Sequence, residues 1–332
     1  MPKAIALYSG GLDSILAIVV MLKQGIEVTA LHFINNFGCA ITDKTGISLK
    51  NSPAADSFDF KVQFVHLGDK FINIVKNPKF GHGKNMNPCI DCKILMIKEA
   101  KKVMQKLGAD FIITGEVLGQ RPMSQRRDAF SVIDREADVK GYLLRPLSAK
   151  LLNPTFAEES GLVDREKLYG FNGRSRKPQI ALAKELGLAE YPAPAGGCLL
   201  TDPVYSQRLE DLLKYSPDPE MKEINLLKTG RHFRISEKTK IIVGRDEKDN
   251  DLIESFLSED DIRIWVDTHG SPLVVIRGET DEVTIKLAAS MCAAYSGAKK
   301  LPEVNVTVQS LSGRNIIKTV PADRAVFEKY RI

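Results

Sequence analysis

The segment YSGGLDS near the amino terminus combines two glycines with two hydroxyls and one carboxylate. It lies where the apolar run KAIAL gives way to the helical pattern ILAIVVMLK. Gly10 and Gly11 let the backbone curl so that amide N–H groups face an anion, and a helix starting near Asp13 adds its positive end. Ser9 and Ser14 can donate hydrogen bonds to phosphate, whereas Asp13 can bind Mg²⁺ or cap the helix. The segment therefore predicts a phosphate loop that lacks the lysine of a Walker loop, and a plain Gly-Gly turn is its alternative.

Three cysteines fall on two further segments. In NPCIDCKILMIKEAKKVMQKLG the apolar residues recur at helical spacing, with Asn87 as the expected N-cap and Pro88 in the first turn. Cys89 and Cys92 then share one face of the helix start, where the helix dipole is expected to lower the thiol pKa. Cys198 lies in PAPAGGCLLTDP, a loop fixed by proline and glycine. Thiols from both segments could converge.

Several kinds of site fit such a set of thiols. Three thiolates can hold a [4Fe-4S] cluster and leave one iron open to an external sulfide. Alternatively, Cys198 carries a persulfide that a CxxC thiol resolves as a disulfide. Zinc is a third possibility, although a structural zinc site usually has four ligands and no second CxxC or HxxxH is present. The cysteines could also have no function.

The elements around these residues alternate between short apolar strands and helical patterns, which predicts a parallel sheet with crossover helices. Ser9, Phe33 and Thr114 then lie at carboxyl ends of strands, where ligands bind. After a PDPEM linker the chain changes to short strands and one helix, VTIKLAASMCAAYSGAK. We therefore expect an α/β doubly wound parallel sheet with a second, smaller α+β domain. The expected boundaries are 1–216 for the first domain, 217–221 for the linker and 222–332 for the second domain.

Composition limits the classes of protein. The 332 residues are 43% hydrophobic and 27% charged, as in an ordinary globular chain. No stretch approaches the roughly 18 apolar residues that span a bilayer, and MPKAIALYSG lacks the pattern of a secretory signal. We expect a cytoplasmic protein without a membrane partner, in which five cysteines do not form a disulfide framework. A net charge of +5 is compatible with a polyanionic partner.

The motif SGGLDS after the first strand resembles the pyrophosphate loop (PP-loop) of the ATP pyrophosphatases. This resemblance implies an adenine nucleotide alpha hydrolase-like fold for the first domain. The order SGGLDS, NPCIDC, ITGE and AGGC resembles the catalytic domain of tRNA thiouridine synthases, especially 2-thiouridylases. This resemblance implies ATP and Mg²⁺ as cofactors, tRNA as substrate and a sulfur donor, either sulfide or a persulfide-carrying protein. It implies that a uridine carbonyl oxygen is adenylated and then replaced by sulfur.

The resemblance also implies roles for individual residues. Cysteine at positions 89, 92 and 198 is the pattern of the cluster-dependent branch, which favours a [4Fe-4S] cluster held by Cys89, Cys92 and Cys198. His32 and Phe33 would border adenine, and Thr114 and Gly115 would lie beside the nucleotide. The 2-thiouridylases usually have a histidine after TG, whereas this chain has Glu116.

The C-terminal part, about 230–300, resembles the NFACT-R RNA-recognition module. VGRDEKDND is similar to that module's VGRN-x-x-x-ND turn, and GSPLVVIR to its GSHVVIR. Four arginines, Arg231, Arg234, Arg245 and Arg277, could meet phosphates there or form an ordinary solvated face. Two other functions stay open: an ATP pyrophosphatase acting on a small-molecule acceptor, and an RNA-binding protein with a vestigial ATP site.

Overall fold

A computed structural model of the chain describes residues 1–35, 37, 53–188, 190–193 and 197–332. The chain forms two compact units, Met1–Thr201 and Asp202–Ile332. The division precedes the expected linker at 217–221, because helix Pro203–Tyr215 belongs to the second unit. In that helix the guanidinium of Arg208 donates to the carbonyl oxygens of Leu227 (2.9 Å) and Gly230 (3.2 Å).

The first unit is built on a five-stranded sheet. Its strands are Lys3–Leu7 (β1), Glu27–Ile34 (β2), Lys61–His66 (β3), Phe111–Thr114 (β4) and Leu143–Leu144 (β5). The spatial order is β3-β2-β1-β4-β5, and every neighbouring pair is parallel. Leu7 is in register with Leu31 on one side and Thr114 on the other, so the ends of β1, β2 and β4 reach the same edge.

Helices cover both faces of this sheet. They are Leu12–Leu22 (α1), Pro53–Phe58 (α2), Gly68–Lys76 (α3), Cys89–Leu107 (α4), Arg127–Glu136 (α5), Phe156–Glu159 (α6) and Lys177–Glu185 (α7). Residues of α1 and α7 share a hydrophobic core with Ala4 and Ala6 of β1. The alternate residues of β1 face the opposite side, where α4 contacts this strand. The predicted doubly wound α/β fold is confirmed.

The second unit is a six-stranded antiparallel sheet with helices. Its strands are Arg231–Ser236 (β6), Thr239–Val243 (β7), Ile262–Trp265 (β8), Val274–Gly278 (β9), Val304–Ser310 (β10) and Gly313–Thr319 (β11), in the order β11-β10-β8-β9-β7-β6. Its helices are Pro203–Tyr215 (α8), Met221–Leu226 (α9), Glu247–Ser255 (α10), Glu282–Tyr295 (α11) and Arg324–Glu328 (α12). The predicted α+β character is confirmed.

This unit has more elements than expected, because α9, α10 and α12 are helices in addition to α11. The segment predicted as a turn contains α10, whose N-cap Asp246 accepts a hydrogen bond from the backbone N–H of Asp249 at 2.9 Å. A further strand, β11, pairs with β10 along its whole length. In the part of the chain that the structure describes, none of the helices has the length and apolar character of a membrane span.

Candidate active site

The glycine loop links β1 to α1. Gly10 has a φ of 74°, in the left-handed region that glycine tolerates, and α1 begins at Leu12, one residue before the expected start. Ser14 Oγ donates to the Gly11 carbonyl oxygen at 2.8 Å, and the backbone N–H of Ser9 donates to Ser14 Oγ at 3.3 Å. The hydroxyls of Ser9 and Ser14 lie 3.3 Å apart. The loop is thus closed on itself and presents two hydroxyls at the start of a helix.

Asp13 carries an oxygen without a hydrogen-bond donor. Its Oδ2 accepts from Gln120 Nε2 at 3.0 Å, whereas its Oδ1 is buried and has no partner among the described residues. The carboxylate does not cap α1, whose N-cap is Gly11 and which has no side-chain cap bond. A buried carboxylate oxygen is costly unless it is paired, and Mg²⁺ prefers oxygen ligands. Asp13 therefore fits the predicted metal ligand better than the alternative helix cap.

The end of β4 lies against this loop. A Cβ at Gly115 would sit 2.5 Å from the carbonyl carbon and oxygen of Asp13 and from the backbone nitrogen of Ser14. Thr114 is buried beside it at the end of the strand. The structure thus brings the end of β4 to the loop, and glycine is the residue that permits this approach. The position of Thr114 and Gly115 beside a nucleotide stays a prediction.

His32 and Phe33, predicted beside adenine, are buried at the carboxyl end of β2. The His32 ring packs edge-on against Tyr8, at 6.2 Å between ring centroids, and against Phe64, at 5.7 Å. These contacts give His32 a packing role. Contact with a nucleotide stays a prediction for both residues.

The start of α4 differs from expectation. Its N-cap is Pro88 and not Asn87. The carbonyl oxygen of Asn87 accepts from the backbone N–H of Gly83 at 2.8 Å, and its side chain hydrogen-bonds the Cys89 thiol. Asn87 therefore closes the turn before the helix and contacts the first cysteine.

The expected lowering of the thiol pKa is wrong for Cys89. Burial raises the pKa of this thiol above 9.0, while the positive charges of Arg121 and Lys93 and the hydrogen bond from Asn87 act in the opposite direction. Desolvation penalises the thiolate more than these groups favour it. Burial therefore opposes formation of the thiolate at Cys89.

The segment of Cys198 is tied to the same edge of the sheet. The backbone N–H of Leu199 donates to the carbonyl oxygen of Phe37, just beyond β2, at 3.0 Å. Asn85 Nδ2, in the turn before α4, donates to the Thr201 carbonyl oxygen at 2.8 Å. The two cysteine segments are thereby joined within the first unit, while a fifth cysteine, Cys39, lies outside the described residues.

The cysteines do not form a ready metal site. Cys89, Cys92 and Cys198 are all half-buried. Within residues 1–35, 37, 53–188, 190–193 and 197–332, no three His, Cys, Asp or Glu side chains form a group that could hold a metal ion. Both segments reach one edge of the sheet, and the three-thiolate cluster stays a prediction.

Glu116, at the position where 2-thiouridylases have histidine, is a buried carboxylate. It accepts from Thr114 Oγ1 and from Arg145 Nε, both at 3.2 Å, and its Oε1 lies 3.6 Å from Lys93 Nζ. Burial alone would raise the pKa of Glu116, but the positive charges of Lys93 and Arg145 hold it below 4.5. Arg145 also binds Asp134 through two hydrogen bonds, of 2.7 and 3.1 Å. This network links β4 to the helix that carries Cys89 and Cys92.

The arginines proposed for RNA in the second unit are largely occupied. Three of them form ion pairs with carboxylates: Arg234 with Asp211, Arg245 with Asp249 and Arg277 with Asp261. The fourth, Arg231, donates to the Gly244 carbonyl oxygen and lies over the Tyr295 ring. These contacts favour a structural role for the four arginines over contact with RNA phosphates. Cys292 is fully buried in the core of this unit.

Comparison with known families agrees with this architecture. Residues 1–150 match the thiamine biosynthesis protein (ThiI) family, and residues 230–331 match the NFACT protein RNA-binding domain. A probable tRNA sulfurtransferase of Thermococcus kodakarensis is 29% identical over 44% of this chain and 36% of its own length. The tRNA-specific 2-thiouridylase MnmA of Chlorobium luteolum is 26% identical over 63% of this chain and 55% of its own.

A solved complex of a 4-thiouridine synthetase with RNA and bound ATP is 19% identical, covering 56% of this chain and 52% of that chain with a TM-score of 0.35. The chain spans between about a third and just over a half of the length of the two curated relatives. The family matches confirm both resemblances predicted from the sequence: the first unit resembles the tRNA thiolation enzymes, and the second the NFACT RNA-binding module.

Proposed function

We propose that this chain is an ATP-dependent tRNA sulfurtransferase that adenylates a uridine carbonyl oxygen and replaces it with sulfur. The observation that carries the proposal is the buried, unpartnered Oδ1 of Asp13 in a glycine loop at the edge of the sheet that both cysteine segments reach. The matches of the two units to a thiolation family and to an RNA-binding domain support it.

In the first step, ATP binds at the loop. The backbone N–H groups near Gly10 and Gly11 and the hydroxyls of Ser9 and Ser14 bind the pyrophosphate part. Asp13 would hold Mg²⁺, which offsets phosphate charge when it is bound. The uridine carbonyl oxygen attacks the α-phosphorus, pyrophosphate leaves, and the oxygen becomes part of a good leaving group.

The remaining nucleotide contacts are proposed from position. His32 and Phe33 end β2, and Thr114 and Gly115 end β4, on either side of the strand that leads into the loop. Ligands of such sheets bind outside these carboxyl ends. Adenine and ribose would therefore lie across this edge.

In the second step, sulfur replaces the activated oxygen. The proposed step uses the thiols of the two cysteine segments, which reach the same edge of the sheet. The terminal sulfur of a persulfide on Cys198 attacks the activated carbon, and AMP leaves with the uridine oxygen. The thiol of Cys89 or Cys92, after losing its proton to solvent, attacks the sulfur of Cys198. A disulfide forms, the thiouridine is released, and an external thiol reduces the disulfide.

The [4Fe-4S] cluster stays a prediction with its own test. Protein purified without oxygen would be analysed for iron and acid-labile sulfide, together with Cys89→Ala, Cys92→Ala and Cys198→Ala. About four irons and four sulfides per chain, lost in each variant, would support the cluster. Iron-free protein that still thiolates RNA would support the thiol route.

The activity is tested with tRNA, ATP, Mg²⁺ and a persulfide donor. We expect pyrophosphate and thiouridine in the wild type, no thiouridine with Cys198→Ala, and unchanged ATP binding in that variant. Cys292→Ala, in the core of the second unit, is the control that keeps activity. Pyrophosphate release without RNA would favour a small-molecule acceptor, and RNA binding without any pyrophosphate release would favour a vestigial ATP site. Mass spectrometry of the nucleosides identifies the ring position.

A further inference from the structure

One half of the sheet in the second unit has an uncovered face. Ile264, Val306 and Val308 point into the core formed with α11. On the other face, α9 and α10 pack over β7 and β9 through residues such as Ile253 and Val275. The face of β8, β10 and β11 that points away from α11 is not covered by either helix core within the described residues. Ile316 on it is 68% exposed.

This face carries an aromatic ring and cationic groups. Because successive residues of a strand alternate between faces, Arg263 and Trp265 lie opposite Ile264. The ladders place Gln309 beside Arg263 and Arg314 beside Gln309. Arg263 has no ion pair among the described residues, in contrast to Arg234, Arg245 and Arg277 in the same unit.

Trp265 is held in one orientation. Its indole N–H donates to Asp267 Oδ1 at 2.7 Å. The same carboxylate accepts from Thr307 Oγ1 at 2.5 Å and from Arg314 at 3.0 Å, and the Arg314 guanidinium lies 5.2 Å from the Trp265 ring centroid. A ring fixed in this way loses little entropy when a planar group stacks on it.

A pocket of about 510 Å³ adjoins the ring. Its polar lining includes Arg263 and Gln309 from the sheet, Asn250 and Glu254 from α10, and His269 from the following loop, together with the ring of Trp265. Its volume lies within the range of small-ligand sites, roughly 300–1,000 Å³. Arginine and glutamine donate to acceptors on base edges, and glutamate accepts from the exocyclic amine of cytosine.

We propose that this pocket binds an unpaired nucleobase of single-stranded RNA, stacked on Trp265, with Arg263 and Gln309 at the base edge. Stacking platforms with adjacent cations are how proteins bind single-stranded RNA. The guanidinium of Arg263 beside the Trp265 ring and the match of residues 230–331 to an RNA-binding domain favour this occupant. The inference rests on the proposed RNA substrate and names the surface that holds an unpaired part of it.

The test uses the fact that Trp265 is the single tryptophan of the chain. Its fluorescence would be titrated with oligouridylate, oligoadenylate, oligocytidylate and a duplex RNA matched in absorbance. We expect quenching by single strands and little by the duplex. With labelled single strands, Trp265→Ala should weaken binding about fivefold to a hundredfold, as loss of one stacked base does, while Trp265→Phe keeps most of it. Arg263→Gln should weaken binding less, and Lys286→Gln on the exposed side of α11 should have no effect.

Each possible result either supports or overturns the nucleobase pocket. Equal quenching by duplex and single strands, or binding unchanged in Trp265→Ala, overturns the nucleobase pocket. If wild-type tRNA binding and thiolation persist in that case, the proposed function stands without this surface. Failure of the wild type to bind any RNA overturns both. Should Trp265→Ala fail to fold, the fluorescence of the wild type and the binding of Arg263→Gln still decide.

Discussion

The buried charge of Glu116 gives the sharpest stability prediction. Its side chain is 3% exposed and is paired with Lys93 at 3.6 Å and Arg145 at 3.2 Å. Glu116→Gln removes the charge but keeps the size. Lys93 then loses its carboxylate, whereas Arg145 keeps Asp134. Removing one partner of a buried pair costs roughly 3–5 kcal/mol. We expect about 3 kcal/mol, the lower end, because one arginine stays paired.

The dependence on pH identifies the cause. Because the folded-state pKa of Glu116 lies below its usual 4.5, the carboxylate stabilises the fold above that pH, and this stabilisation is lost as the pH falls through the folded-state pKa. The difference in unfolding free energy between wild type and Glu116→Gln should therefore be largest at neutral pH and shrink in acid.

Urea unfolding at neutral and acid pH measures this difference. Glu158→Gln is the matched control, since Glu158 is also buried and paired with an arginine, Arg165, but lies away from the loop. It should lose stability and keep ATP affinity, whereas Glu116→Gln should weaken ATP binding because Thr114 loses its charged acceptor beside Gly115. A loss below about 1 kcal/mol, or one that does not change with pH, would refute the reasoning.

Three further changes test other parts of the molecule. Gly115→Ala should cost about 1–3 kcal/mol and weaken ATP binding measured by calorimetry, because its Cβ would lie 2.5 Å from the backbone of Asp13. Asp13→Asn should lower affinity for ATP with Mg²⁺ at least about tenfold, while thermal stability without ligand does not fall, because the carboxylate has one buried oxygen without a hydrogen-bond donor. Burial lowers the pKa of Lys240 to about 7. Between pH 7 and pH 9 the unfolded chain therefore binds a proton at this lysine that the folded chain has released, and the free energy of unfolding rises with pH. Unfolding by denaturant at several pH values should show this rise. Lys240→Met should abolish this rise and stabilise the protein at pH 7 by roughly 1–4 kcal/mol.

Controls separate these effects from general damage. Gly270→Ala meets nothing within 4 Å and should change neither stability nor ATP binding. An Asp13→Asn protein with unchanged affinity for ATP in Mg²⁺ would contradict the metal-ligand role. A Lys240→Met protein with the same pH profile as the wild type would assign the rise to other groups.

Much of the first unit could be predicted because its signals are local. Apolar runs such as KAIAL and the glycines after it specify β1 and the loop directly, and α4 follows from helical spacing. Helix α10, which the sequence did not predict, begins within VGRDEKDND. The residues at its start are polar and show no apolar repeat at helical spacing, and Asp246 is its N-cap. Local rules predicted a lowered pKa for Cys89, but burial, which depends on distant packing, outweighed them.

The charge network around Glu116 and the uncovered face of the second sheet could not be predicted from the sequence, because both depend on how distant segments pack. Gln120 donates a hydrogen bond to Asp13 although 107 residues separate them in the chain, and neither segment alone predicts this contact. Lys93 meets Glu116 because α4 packs beside β4. The partial exposure of Arg263 and Trp265 follows from strand order and from which helices cover the sheet.

The central claim is adenylation of the uridine oxygen, and heavy-oxygen transfer measures it most directly. A tRNA whose uridine carbonyl carries heavy oxygen would be incubated with ATP, Mg²⁺ and the sulfur donor, and the AMP analysed by mass spectrometry. The account predicts labelled AMP in an amount equal to the thiouridine formed. Thiouridine accompanied by unlabelled AMP, or by ADP in place of AMP, would contradict it.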